Sequence, residues 1–332
     1  MIKRSLLILL PISYLVSGTS AYADYMDLPN AVSTKSYDFS SISIPNTVGT
    51  SSVDVSGNAF FIDSRYSDST TATIELTING TLLGDGKTYA TDKPGVGIQY
   101  TLHMANDAGL SPSGDITVPP YRYTFTGHAS TPGIVSGNTV NIWYRLVRVQ
   151  DYVPTGDITS VPDAIITLKN PPGEGDDSIF TSTVLSDIAA QPKIIPCTIN
   201  APTEIKLPPL YGANLVNGAQ NITDVPAITL TKCPGAINNI TYNFAAVYGT
   251  YKASDGVLNT VEGDGYAKGV YVQIQNADGS AHKINGAINL DGYNGAGDYD
   301  IPGFKVAYYI NDVNAITVGN VKTAINLTLS YS

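Results

Sequence analysis

Three short stretches combine aromatic rings with carboxylates, amides or an arginine: Asp63-Ser-Arg-Tyr-Ser-Asp68, Pro120-Tyr-Arg-Tyr123 and Gln150-Asp-Tyr-Val153. Rings pack on the C–H faces of sugars, while carboxylates, amides and guanidinium groups hold the hydroxyls. These residues suit recognition rather than bond cleavage. Asp63, Tyr66, Tyr121, Arg122, Tyr123, Asp151 and Tyr152 are therefore the candidate receptor-binding residues, expected on turns and strand ends. Arg122, set between two tyrosines, has the fork geometry to clamp a carboxylate.

Other reactive residues point nowhere so definite. His103 and His128 fall on neighbouring expected strands and could supply two metal ligands, but no third ligand is recognisable. Ordinary sheet histidines and no cofactor are the expectation. Asp291-Gly-Tyr-Asn-Gly-Ala-Gly-Asp-Tyr-Asp300 breaks the spacing of a calcium loop and reads as a flexible loop. Gly84-Asp-Gly-Lys-Thr88 lacks the upstream glycine spacing and the following helix of a phosphate loop. The acidic residues are scattered, with no nucleophile elbow and no metal triad. No enzyme is expected. A secreted glycoside hydrolase working with paired carboxylates is the rival, and product release would distinguish it.

The elements that must position these residues are strands. Alternating runs recur between turn signals: Ala72–Ile78 before Asn79-Gly80, then 97–102, 121–125, 140–146, 164–168 and 179–185. The second half continues with 203–207, 227–231, 240–244, 270–274 and 306–310. No sustained helical period appears, and many short strands with Asn-Gly and Gly-Asp turns predict an all-β protein of two β-sandwich domains. Trp143 lies inside one alternating run and is expected in the core.

Composition agrees. Of 332 residues only 14% are charged, 31 are Gly, 20 Pro and 22 Tyr, a mixture too apolar for disorder and poor for helices. The net charge of −10 argues against a nucleic-acid partner. Lys3 and Arg4, the apolar stretch Leu6–Val16 and Ala21-Tyr22-Ala23 form a signal peptide over residues 1–23, so the chain is expected to be exported. In an exported protein Cys197 and Cys233 are expected to form one disulfide. Residues 24–190 hold eighteen acidic and eight basic residues, and 191–332 hold ten and eight. That asymmetry places a domain boundary near Ala190-Gln191-Pro192-Lys193, with 170–177 as an alternative linker.

The clearest pattern is the last one. Ile325, Leu327, Leu329 and Tyr331 alternate with Asn326, Thr328, Ser330 and Ser332, a strand with one buried face. Together with Cys197-Thr-Ile-Asn-Ala-Pro202, Cys233 and Gly269-Val-Tyr-Val-Gln-Ile-Gln-Asn-Ala-Asp-Gly279, it makes residues 191–332 resemble a chaperone–usher pilin domain. The resemblance implies an immunoglobulin-like sandwich lacking its last strand. A periplasmic chaperone fills the groove first, and the adjacent subunit's donor strand fills it in the fibre after passage through the outer-membrane usher. It also implies that Ile325, Leu327, Leu329 and Tyr331 face that groove while the carboxylate of Ser332 docks on the chaperone.

A whole domain at 24–190 stands where a shaft pilin would carry its donor strand. The layout resembles a two-domain tip adhesin of chaperone–usher fimbriae, implying an extracellular fimbrium tip and a host receptor. Lys93-Pro-Gly-Val-Gly-Ile98 and the strand around Trp143 are the more loosely similar features of the first domain. Its net −10 opposes an acidic glycan, leaving a neutral glycan or a protein receptor. A minor structural subunit without receptor binding is the alternative.

Overall fold

A computed structural model describes residues 25–27, 32–65, 70–105, 113–127, 136–169 and 179–332. The signal segment, Tyr66, His128 and the alternative linker 170–177 lie outside the described residues.

The first half contributes β1 (Tyr25–Asp27), β2 (Lys35–Asp38), β3 (Val55–Arg65), β4 (Thr70–Asn79), β5 (Tyr89–Ala90) and β6 (Val96–Met104). It continues with β7 (Gly114–Ile116), β8 (Tyr121–Gly127), β9 (Ser136–Arg148), β10 (Asp163–Lys169) and β11 (Ile179–Ala190). One sheet runs β1-β3-β9-β6-β5, with β7 also on β6, and the other runs β2-β11-β10-β4-β8. The alternation read from sequence is what closes them: Ile98, Tyr100 and Leu102 of β6 and Val140, Ile142, Tyr144 and Leu146 of β9 point inward and are buried. They meet Ile74, Leu76, Ile166 and Leu168 of the facing sheet in one core. Tyrosines fill much of it, and the hydroxyls of Tyr37, Tyr100, Tyr123 and Tyr144 find partners inside. The Tyr37 hydroxyl donates to Pro162 O at 2.6 Å and lies 2.9 Å from that of Tyr100. Burial pushes both phenols up from their usual range, so they stay neutral and bonded.

The second half contributes β12 (Thr198–Asn200), β13 (Gly218–Asp224), β14 (Ile228–Cys233), β15 (Ile240–Ala246), β16 (Thr250–Lys252) and β17 (Val257–Leu258). Then follow β18 (Val270–Asn276), β19 (Ile288–Asn289), β20 (Gly297–Ile301), β21 (Phe304–Ile310) and β22 (Ile325–Tyr331). They form sheets β12-β14-β20, β13-β21-β18-β17-β16 and β19-β15-β22 around a separate core that includes Leu230, Phe244, Leu258, Ile274 and Phe304. Cys197 and Cys233 are disulfide-bonded, tying the start of β12 to the end of β14. Among the described residues the helices are single 3-10 turns, and none is long and apolar enough to cross a membrane.

Two expectations are corrected here. Residues Thr203–Leu207 do not form a strand: β12 ends at Asn200, and the chain beyond it borders a groove where no strand among the described residues pairs with it. The Asp291–Asp300 stretch is not a free loop. Its end is β20, and its middle grips the first domain: Tyr152 Oη donates to Asn294 O at 2.9 Å and Ala296 N to Val153 O at 2.7 Å. From the other side Ala236 N donates to Pro154 O at 2.8 Å. The fit requires glycine, since a Cβ on Gly235 or Gly295 would lie 2.1 or 2.2 Å from Val153 O.

Candidate functional site

The second domain contains a groove of about 1090 Å³. Ile205, Leu207, Ile325 and Leu327 line it together with the core residues Phe244, Leu258, Ile274 and Phe304. The sequence builds it through β22. Alternation turns Ile325, Leu327, Leu329 and Tyr331 to the core side, and each is only partly buried. β22 pairs antiparallel with β15 from Ile240↔Tyr331 to Ala246↔Ile325 and is the last strand of its sheet. Among the described residues its other edge therefore presents backbone donors and acceptors next to apolar surface. Leu329 and Tyr331 do not line the groove. They lie further along the same face, where the Tyr331 hydroxyl accepts a hydrogen bond from Cys197 N at 2.9 Å. Ser332 is held by backbone bonds to Asn239, its N donating to Asn239 O and its O accepting from Asn239 N, each at 3.0 Å.

His282 sits under the groove. Its ring packs 4.9 Å from that of Phe244, its Nδ1 pairs with Asn276 Oδ1 at 2.7 Å, and buried Nε2 has no partner among the described residues. Burial holds its pKa below the usual histidine value.

In the first domain the candidate receptor residues are not brought together. Asp63 is in β3, paired with Gly137 near the start of β9, whereas Asp151 and Tyr152 follow its other end. Eleven residues of strand separate those ends, about 36 Å at about 3.3 Å per residue. Tyr121 and Tyr123 lie in β8 rather than on a loop and are 1% and 3% exposed. Buried rings offer no face to a ligand, so the expectation for these two is corrected. Arg122 between them points outward across from Glu75, at 3.6 Å, as a cross-strand ion pair. Tyr152 is 49% exposed but is committed to the domain junction, and Arg148 holds the carbonyls of Gln150 and Asp151 there.

Trp143 is likewise corrected. The alternation of β9 is real, but its inward phase is Val140, Ile142, Tyr144 and Leu146, which turns Asn141, Trp143 and Arg145 to the outer face. There Trp143 stacks on His103, ring centroids 4.9 Å apart and planes 17° apart. His103 Nδ1 lies 2.6 Å from Asp115 Oδ1. Among the described residues no group of three or more His, Cys, Asp or Glu is placed to hold a metal. Sequence reading missed Asp115 and Asn141, which flank His103 in register, and Phe61, which stands exposed on β3 of the same face. The phase of β9, set by Val140 and Ile142, could have found Asn141, whereas Asp115 and Phe61 are placed by register.

Residues 180–332, a little under half of the chain, match the family model described as fimbrial protein. A comparison with curated proteins found no match. Among solved structures the CupB6 tip adhesin from Pseudomonas aeruginosa is similar at 15% identity and TM-score 0.44, over 93% of this chain and 95% of that one. The receptor binding domain of the adhesin MrkD1P of Klebsiella pneumoniae is similar at 16% identity and TM-score 0.29, over 53% and 98%. The Proteus mirabilis fimbrial adhesin AtfE is similar at 15% identity and TM-score 0.25, over 48% and 94%.

Proposed function

We propose that this chain, whose residues 180–332 match the fimbrial protein family model, is a two-domain fimbrial tip adhesin. After loss of the leader, residues 24–190 bind the receptor, a neutral glycan or a protein, and residues 191–332 anchor the subunit in the fibre. The observation that carries the reading is the apolar groove beside the unpaired edge of β22, in a domain joined to a separate sandwich with a filled core. An extended segment laid along β22 would satisfy its backbone groups and cover Phe244 and Phe304, as strand addition does elsewhere. A periplasmic chaperone supplies that segment during export, the usher exchanges it, and the next subunit's donor strand replaces it. The protein then acts outside the cell, at the fimbrium tip, without catalysis.

The test is co-expression of the full chain with a chaperone–usher system. The chain should co-purify with the chaperone, and fibres that carry it should adhere to host cells while fibres lacking it do not. A full chain that is monodisperse and thermally stable with no strand donor overturns the groove reading. Equal adhesion by fibres without it overturns the adhesin reading.

A further inference from the structure

On the outer face of the first sheet, ladder register sets Ala59, Asn141, His103 and Asp115 side by side on β3, β9, β6 and β7. Strands lie about 4.8 Å apart, so the row spans about 14 Å. Trp143 stacks on His103 from the neighbouring row, and Phe61, 60% exposed, stands on β3 at the opposite side. The small side chain of exposed Ala59 keeps the ground between them low. At the other end of the face Arg145 Nη1 lies 3.8 Å from the half-exposed Asp54 Oδ1. Gln99 and Thr101 are buried, Gln99 Nε2 donates to Thr88 Oγ1 at 2.7 Å, and Arg145 Nε donates to Gln99 Oε1 at 3.0 Å. The end around Trp143 and His103, open among the described residues, combines aromatic surface with a half-exposed carboxylate, an amide and an imidazole.

We infer that this open end is a binding site for a neutral hexose or hexosamine unit, an inference that rests on the adhesin reading. The sugar's C–H face packs on the Trp143–His103 stack, and adjacent hydroxyls donate to Asp115 and exchange hydrogen bonds with Asn141. With Nδ1 of His103 held by Asp115, its Nε2 is the nitrogen that meets a hydroxyl. Asp115 and the acidic surplus of the first domain repel anionic sugars. The row matches one or two pyranose rings in width and is far smaller than the roughly 800 Å² per partner of a stable protein interface.

Trp143 is the single tryptophan of the chain, so its emission reports on this site alone. The full chain, with a tryptophan-free strand peptide supplied to the groove, is titrated with glucose, galactose, mannose, N-acetylglucosamine, N-acetylgalactosamine and lactose. In parallel it is applied to an array of neutral glycans. At least one sugar should change the emission saturably, and glycans bearing it should be retained. Asp115→Asn should weaken retention about tenfold by removing a charge-assisted hydrogen bond. Trp143→Ala should abolish it, and Asp115→Asn decides the matter if Trp143→Ala fails to fold. Glycans retained with unchanged emission and unchanged affinity in Asp115→Asn place the site elsewhere and leave the adhesin reading standing. No neutral sugar retained and no emission change overturns the inference, while the fibre adhesion test still judges the adhesin reading on its own.

Discussion

The two domains solve the same packing problem to different degrees. In the first, two sheets close on each other, and Tyr37, Tyr100, Tyr121 and Tyr144 are no more than 1% exposed. In the second, Ile325, Leu327, Leu329 and Tyr331 of β22 are only partly buried, and the groove beside them stays open. A filled core leaves the outer face of a sheet free for recognition. An unfilled one leaves apolar interior open, and under the proposed function its stability depends on the strand that occupies it.

The largest effect should come from that asymmetry. Changing Leu327 and Leu329 to Asp puts carboxylates against the second core, at a cost of several kcal/mol. Limited proteolysis should find the second domain unfolded and uncaptured by chaperone, with the first domain intact. Degradation of both domains together would break the comparison. Next comes Cys233→Ser, which opens a loop of 36-residue separation and should cost roughly 3–4 kcal/mol in the chain-entropy model. Calorimetry should show only the second domain's transition falling.

A smaller effect concerns acid. His282 has a folded pKa below its ordinary value of 6.5, so below pH 6.5 the unfolded chain binds more protons than the folded one. The second domain should lose stability as pH falls from 6.5 through the folded value, and His282→Gln should remove most of that slope. An unchanged slope in the variant would assign the acid sensitivity to other groups. Smallest is Arg122→Ala. Its partner Glu75 is 3.6 Å away and both are solvent-accessible, so the first domain should lose less than about 1 kcal/mol. A shift of several degrees in its midpoint would show that the pair matters more than an exposed ion pair should.

Period-two alternation alone determined the all-β class, most of the longer strands and the partly buried face of β22, because side chains on a strand must alternate between core and solvent. The cysteine count, with the expected export, pointed to the staple. Tertiary structure decided the rest. Alternation gives a strand two faces without saying which is inward, so Trp143 fell outside and Tyr121 and Tyr123 fell inside. A strand also exists only where a partner completes its ladder, which is why 203–207 reads as β in sequence and borders an open groove in the fold. Register, which no local pattern encodes, brought Asn141, His103 and Asp115 into one row across three strands and set Asp63 apart from Asp151 by the length of β9.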